Sequence, residues 1–166
     1  QVKSLSFIAP AGFGKVQTSI PFFMKIPGVI EWAMHVLADR FYGSAISSET
    51  AHSNDPLSIN EEEFQQLFSF QMQFKGFRES LASTMRNFNL FDAREMFEKV
   101  AAKNIPSIAI WGDNDGIVSY KGAETYSEIF HEGKVITIED GTHDITYRQP
   151  SDVLEAIKIF LASQIS

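Results

Sequence analysis

The sequence predicts an α/β fold in which parallel strands are flanked by helices. From Ile105 onward, short apolar runs alternate with helical patterns in the order strand, helix, strand, helix, and another short apolar run lies at Val2–Ala9. Two strands joined by a single helix are expected to pair in parallel, with a right-handed crossover. The 166 residues suffice for one compact unit with a single core.

The first element is a strand. Val2–Ala9 is apolar enough for a short buried strand, and Pro10-Ala11-Gly12 is expected to end it. The chain begins without an initiator Met and without an apolar stretch of signal-peptide length, so we expect that residues upstream of it are missing.

Helices are expected to fill the middle of the chain. Apolar residues at helical spacing predict the first helix, and Asn60 followed by Glu63 is the pattern of a capping box at the start of the second. The predicted helices are Val29–Phe41, a second one that runs from the cap at Asn60 to Gly76, and then Phe77–Phe88 and Asp92–Val100. The polar stretch Ser44–Ser58 is predicted to be an exposed connection. Phenylalanine, with 15 residues in the chain, is concentrated in this middle section, so an apolar partner surface is needed, either a core or a pocket.

The C-terminal third contains the residues best suited to chemistry. Its predicted elements are Pro106–Trp111, Tyr120–Phe130, Lys134–Glu139 and Ser151–Ala162. The loops that follow the two strands lie on the same sheet edge, and neighbouring strands are about 4.8 Å apart. Asp115 in one loop and His143 in the other can therefore come within hydrogen-bonding reach. A carboxylate on one imidazole nitrogen leaves the other able to take a proton from a nucleophile.

Each of these loops also has an ordinary interpretation. Asp, Asn and Gly are the commonest turn residues, and a loop His is often merely exposed. Their joint placement, separated by one strand-helix-strand unit, favours the functional interpretation.

Three segments resemble the α/β-hydrolase family. Ile105–Ser119 resembles the acid-bearing strand and loop of that family, Gly141-Thr142-His143 resembles its histidine loop, and Val2–Gly12 is similar to the strand that leads into its helical cap. The order of acid before histidine also agrees. The resemblance implies the C-terminal part of an α/β-hydrolase fold with an inserted helical cap, in which residues 1–12 and 105–166 form the core and residues 13–104 form the cap.

The resemblance also implies roles for single residues. Asp115, which precedes Gly-Ile-Val, would be the acid of the catalytic triad and His143 the general base, while Asp113 is the less favoured acid. The nucleophile of the family sits in Gly-x-Ser-x-Gly, and this chain lacks that pentapeptide.

We therefore expect a C-terminal fragment of a serine-type hydrolase, inactive alone. Its partners would be a small apolar substrate, whose ester, amide or carbon-carbon bond the intact enzyme cleaves, and the N-terminal half of the core, in a longer parent or on another chain.

Composition excludes several other classes. Apolar residues make up 44% of the chain and charged residues 21%, as in ordinary folded proteins. The net charge of −7 disfavours nucleic acid and anionic lipid as partners, and no stretch is apolar enough for a membrane span. The absence of cysteine excludes disulfides, thiolate metal sites and a cysteine nucleophile. We expect no cofactor, no metal and a cytoplasmic location.

Two alternatives of other classes are open. The first is a P-loop-like nucleotide-binding protein, because Ala9–Lys15 approaches a phosphate-binding loop, although Ala9 stands where that loop needs Gly and Val16 stands where it needs Ser or Thr. A noncatalytic interaction module is the second, with the edge of the strand at Val2–Ala9 as its pairing surface. The calcium-loop pattern starting at Asp113 fails, because Ile117 and Val118 stand at its fifth and sixth positions. The remaining histidines, which are His35, His52 and His131, lack metal-site spacing.

Overall fold

The computed structural model describes residues 2–14, 26, 28–33, 36, 54–88 and 92–164. Three strands and six helices have defined bounds within these ranges. In chain order they are β1 (Leu5–Ile8), α1 (Glu61–Gln71), α2 (Phe77–Asn87), α3 (Arg94–Ala101), β2 (Ser107–Gly112), α4 (Gly122–Ile129), β3 (Lys134–Ile138), α5 (Ile145–Arg148) and α6 (Pro150–Ser163). Of the helix predicted at Val29–Phe41, residues 29–33 and 36 are helical and the others lie outside the described residues. None of the helices in the described ranges is long and apolar enough to cross a membrane.

The chain divides into two compact units. The sheet unit comprises Gln1–Val16, His52–Ser58 and Phe91–Ser166, and the helical unit comprises Gln17–Ala51 and Ile59–Leu90. The sequence interpretation assigned residues 13–104 as a whole to the helical region. In the structure, parts of that range, including α3, belong to the sheet unit, because their apolar side chains pack there. The role of the helical unit as a cap stays a prediction.

The three strands form a parallel sheet in the order β1-β2-β3. All six residues of β2 are buried, as expected for a central strand covered on both faces. In the register, Leu5 of β1 lies opposite Ser107, and Ile110 of β2 lies opposite Ile136. The predicted parallel pairing of the two C-terminal strands is confirmed.

Each face of the sheet has its own core. Ala109 and Trp111 of β2 point to an aromatic cluster, whereas Ile108 and Ile110 point to an aliphatic one. The aromatic cluster includes Phe13, Tyr126 and Phe130, and the aliphatic cluster includes Ile138, Ile145, Val153 and Phe160. Burial of each such side chain contributes about 2 kcal/mol to the free energy of unfolding. The two clusters therefore hold the strands, and with them the strand ends, in place.

Gly12, a glycine of the phosphate-loop-like segment, has a packing role. Its φ is +99°, and a Cβ built there would lie 2.8 Å from Cβ of Ala93, at the start of α3. Its carbonyl oxygen accepts a hydrogen bond from the Ala93 N–H at 2.7 Å. The close approach of two backbones therefore accounts for this glycine. Lys15 and Val16 lie outside the described residues.

In the helical unit, α1 begins where the sequence predicts, but it ends at Gln71 and not at the predicted Gly76. At the start of α1, Asn60 Oδ1 accepts from the Glu63 N–H at 2.9 Å, and Glu63 Oε2 accepts from the Asn60 N–H at 3.0 Å. The capping box is thus confirmed. No residue of α1 is fully buried, and its Leu67 and Phe70 side chains are exposed.

Candidate active site

The backbones of the two loops at the carboxyl ends of β2 and β3 are in direct contact. The Asn114 N–H donates to the Gly141 carbonyl at 2.9 Å, and the Asp113 N–H donates to the Ile138 carbonyl at 3.2 Å. A Cβ at Gly112 would lie 2.2 Å from the Gly141 carbonyl oxygen, and a Cβ at Gly141 would lie 2.8 Å from the Gly112 Cα. Glycine at both positions therefore allows the loops to cross closely.

Asp115 is held rigidly in the first loop. Its side chain is fully buried, and Oδ1 accepts hydrogen bonds from the N–H groups of Ile117 at 2.9 Å and Val118 at 2.7 Å. These bonds compensate for the loss of water around the carboxylate. They also turn the second oxygen, Oδ2, toward the neighbouring loop.

That second oxygen is in hydrogen-bond contact with His143. Its Nδ1 lies 2.9 Å from Asp115 Oδ2, and the imidazole is about one-third exposed. Because a carboxylate only accepts hydrogen bonds, Nδ1 carries the shared proton and Nε2 is the nitrogen able to accept another. In this arrangement His143 can act as a general base through Nε2, because the hydrogen bond at Nδ1 fixes the tautomer and the orientation of the ring.

The structure brings His143 to Asp115 and leaves the rival acid in another position. Asp113 is exposed, and in the described part of the chain its N–H donates a hydrogen bond to the Ile138 carbonyl. The predicted pairing of Asp115 with His143 is thus present in the structure. The catalytic roles of the two residues stay predictions.

Sequence reasoning missed a second carboxylate beside His143. Asp144 Oδ1 accepts a hydrogen bond from the Thr142 hydroxyl, and Oδ2 accepts from Arg148 Nε at 3.0 Å. The Asp144 carbonyl accepts from the N–H groups of Tyr147 and Arg148. The spacing of four between Asp144 and Arg148 was a possible signal, since such pairs face each other on a helix. The helix that makes the spacing meaningful, α5, has only four residues and no detectable periodicity.

The other histidines lie apart from these loops or outside the described residues. His131 is exposed just after α4, whereas His35 and His52 are not among the residues described. Within the described ranges, no group of three His, Asp or Glu side chains is arranged to hold a metal ion. The expected absence of metal and cofactor stays a prediction.

Comparisons with known proteins identify the fold. No family model matches the sequence, and no curated protein matches it. Among solved structures, MenH from S. aureus matches with a TM-score of 0.69 and 12% identity, over 99% of this chain and 60% of that one. A bromoperoxidase from Bacillus anthracis matches with a TM-score of 0.68 and 18% identity, over 96% of this chain and 58% of that one. A thermophilic esterase from Thermogutta terrifontis matches with a TM-score of 0.63 and 16% identity, over 99% of this chain and 57% of that one.

All three proteins are α/β-hydrolases by fold. The chain spans less than two thirds of the length of each. This protein therefore has the fold of the C-terminal part of an α/β-hydrolase.

Proposed function

We propose that this chain is the C-terminal portion of a serine-type α/β-hydrolase, in which Asp115 is the triad acid and His143 the general base. One observation carries the proposal: the 2.9 Å contact between Asp115 Oδ2 and His143 Nδ1, formed by loops at the carboxyl ends of two adjacent parallel strands. This is the edge at which α/β folds collect functional residues.

In the proposed mechanism, His143 Nε2 takes the proton of a serine hydroxyl as its oxygen attacks the carbonyl carbon of the substrate. Asp115 keeps the ring in the required tautomer and stabilises the imidazolium that forms. His143 then returns the proton to the leaving group. In the second half of the reaction, His143 takes a proton from water, which attacks the acyl-enzyme and releases the carboxylic acid product. An ester, an amide or an activated carbon-carbon bond next to a carbonyl suits this chemistry.

The serine itself is proposed to lie outside this chain. The only glycines spaced as in Gly-x-Ser-x-Gly are Gly112 and Gly116, and the residue midway between them is Asn114 of the acid loop. The related folds extend well beyond the matched part, which leaves room for a nucleophile elbow and an oxyanion hole. The N-terminal half of the core, in a longer parent or on another chain, is the partner that would supply them.

The helical unit is proposed to be the cap, and the substrate to be small and largely apolar. Leu67, Phe70 and Phe74 are each more than half exposed. The rings of Phe70 and Phe74 meet edge to face at 5.1 Å. Aromatic side chains of this kind favour an apolar ligand over a charged one.

The coding sequence upstream of Gln1 tests the serine assignment directly. We expect an open reading frame with Gly-x-Ser-x-Gly between a strand and a helix. An upstream frame without that motif, or one with Asp or Cys at its centre, would make the serine assignment wrong.

A fluorophosphonate probe tests the proposed location of the nucleophile. We expect no labelling of the 166-residue chain and stoichiometric labelling of the extended protein, because acyl transfer needs the nucleophile and its oxyanion hole. Mass spectrometry of the intact protein measures the label. Labelling of any serine within Gln1–Ser166 would contradict the proposal.

A further inference from the structure

Asp144 connects the residue before His143 to the helix after it. Its carboxylate accepts one hydrogen bond from the Thr142 hydroxyl and one from Arg148 Nε, so these bonds span the histidine. Its carbonyl accepts the first backbone bonds of α5. The side chains of Asp144 and Arg148 are only 18% and 12% exposed. The attraction within an ion pair so shielded is weakened less by solvent than the attraction within a surface pair.

His143 needs such support because burial does not fix its ring. About one-third of the imidazole is exposed, whereas the Asp115 carboxylate is fully buried and held by two backbone N–H groups. The acid is therefore held by its own loop, and the bonds of Thr142, Asp144 and Arg148 act on the backbone on both sides of the base. A displacement of about 1 Å at a reacting group can cost a factor of about 100 in rate.

We infer that Asp144 is a positioning residue, which, together with Thr142 and Arg148, holds the backbone of His143 so that Nδ1 stays on Asp115. We call these three residues the histidine clamp. Asp144 does not touch the reacting atoms, and it acts through His143; the inference rests on the proposed function of that residue.

The experiment uses the 166-residue chain with ¹⁵N-labelled histidine, and NMR observes the Nδ1–H proton of His143. A proton shared between imidazole and carboxylate is protected from exchange with water and is visible, and the ¹⁵N shifts of the ring report its tautomer. His143→Gln assigns the resonance among the four histidines. Circular dichroism and thermal melting check that each variant is folded.

Thr142→Val is the main variant, because it keeps the shape of the side chain and removes only the hydroxyl. We expect the His143 Nδ1–H proton to exchange at least about tenfold faster, with a mixture of tautomers, whereas Thr142→Ser restores the unmodified spectrum. Asp144→Ala is expected to have a larger effect of the same kind. The matched control is Thr137→Val on β3, the strand that precedes the Thr142 loop; it removes an exposed hydroxyl that is hydrogen-bonded to the Tyr120 hydroxyl at 2.7 Å. It is expected to leave the resonance unchanged.

The outcomes separate the clamp from the proposed acid-base pair. Loss of the resonance in Thr142→Val with recovery in Thr142→Ser supports the clamp. An unchanged resonance in both Thr142→Val and Asp144→Ala overturns it. The pair is tested by Asp115→Asn, which must abolish the protected Nδ1–H proton; a resonance that survives this substitution contradicts the proposed function instead.

Discussion

Two carboxylates in one short loop have very different surroundings. Asp115 is buried and accepts three hydrogen bonds, two of them from the backbone of its own loop. Asp113 is exposed to water. A charge in water is screened and free to rotate, whereas a buried and oriented charge acts strongly on a neighbouring imidazole. These surroundings favour Asp115 over Asp113 as the proposed triad acid.

Asp115→Asn tests this difference in the proposed extended enzyme. We expect kcat to fall by about 10⁴-fold with folding preserved, because the imidazole then takes the wrong tautomer. Asp113→Asn is the matched control and is expected to cost far less. Steady-state kinetics on an ester substrate and circular dichroism measure the two effects. The opposite order of damage, in equally folded proteins, would assign the acid to Asp113.

Gly112→Ala tests the close crossing of the two loops. The added Cβ would meet the Gly141 carbonyl oxygen at 2.2 Å, so the backbone has to shift, and we expect a loss of about 3 kcal/mol in the free energy of unfolding. Gly76→Ala is the control: its Cβ meets nothing within 4 Å, and only the strain of a φ of +88° remains, about 1–2 kcal/mol. Urea unfolding measures both. Equal losses in the two variants would mean that the loops tolerate the added methyl.

The proximity of Asp115 and His143 could be predicted because it depends on where each residue stands relative to the end of its strand. Each residue follows its strand by a few positions, and adjacent parallel strands bring the two loops to one edge. The histidine clamp could not be predicted in this way. Its hydrogen bonds depend on the turn between Thr142 and Arg148, and on a helix of four residues that has no periodicity to detect.

Asp55 plays a role at the scale of the element. Its carboxylate accepts hydrogen bonds from the Ser151 N–H and hydroxyl, each at 2.8 Å, and from the Leu57 N–H at 2.8 Å. Ser151 lies in the first turn of α6, where backbone N–H groups have no partner within the helix. Asp55 thereby caps a helix that begins about a hundred residues further along the chain.

The pH dependence of stability should reveal this cap. Removal from water opposes the charge of Asp55, but hydrogen bonds from Leu57 and Ser151 outweigh it and lower the pKa of the carboxyl. A lowered folded-state pKa stabilises the protein above the unfolded value of about 4, and this contribution is lost as the pH falls through the folded-state pKa. We therefore expect Asp55→Asn to be less stable than the unmodified chain at pH 7, with the difference shrinking below about pH 4.

Thermal melting between pH 2 and pH 8 measures this effect. Asp152→Asn is the control, since it removes a carboxylate from the same turn of α6 that makes no hydrogen bond among the described residues. A pH-independent difference between Asp55→Asn and the unmodified chain would contradict the role of the charge.

Helices with strong local signals were predictable, and elements defined by distant contacts were not. The capping box of α1 lies within four consecutive residues, and the predicted helices at Phe77–Phe88 and Ser151–Ala162 match α2 and α6 to within a residue or so. Ser44–Ser58 was predicted as an exposed connection; residues 44–53 lie outside the described part of the chain, and in the rest Pro56 and Leu57 are exposed whereas Asp55 and Ser58 are partly buried. The contact of Asp55 with Ser151 spans 96 positions, so no local pattern could indicate it.

At the scale of the whole molecule, the outer edge of β1 is unpaired within the described part of the chain. The Leu5 N–H donates to the Pro106 carbonyl, just before β2, and the Ala9 N–H donates to the Ile110 carbonyl in β2. The N–H groups of Ser6 and Ile8 therefore point away from the sheet. In the proposed parent this edge would pair with the N-terminal half of the core. In the separate chain an open edge favours pairing with another copy.

Ser6→Pro tests that consequence. Proline at this position removes only an outward-pointing donor and leaves the bonds to β2 in place. We expect the unmodified chain to self-associate as its concentration rises, and Ser6→Pro to do so less, with an unchanged circular dichroism spectrum. Sedimentation velocity over a concentration series gives the answer. Association that is unaffected by the substitution would point to another surface.

The close crossing of the loops after β2 and β3 also limits how their lengths can be changed by protein engineering. Contact between Gly112 and Gly141 involves backbone atoms only. A side-chain substitution therefore cannot compensate for an insertion in either loop. Lengthening one loop would move its functional residue relative to the other. The two loops therefore have to be transplanted together, with both glycines, when this pair is grafted onto another parallel sheet. Variation in sequence length should be accommodated elsewhere, in the connections that lie away from this edge.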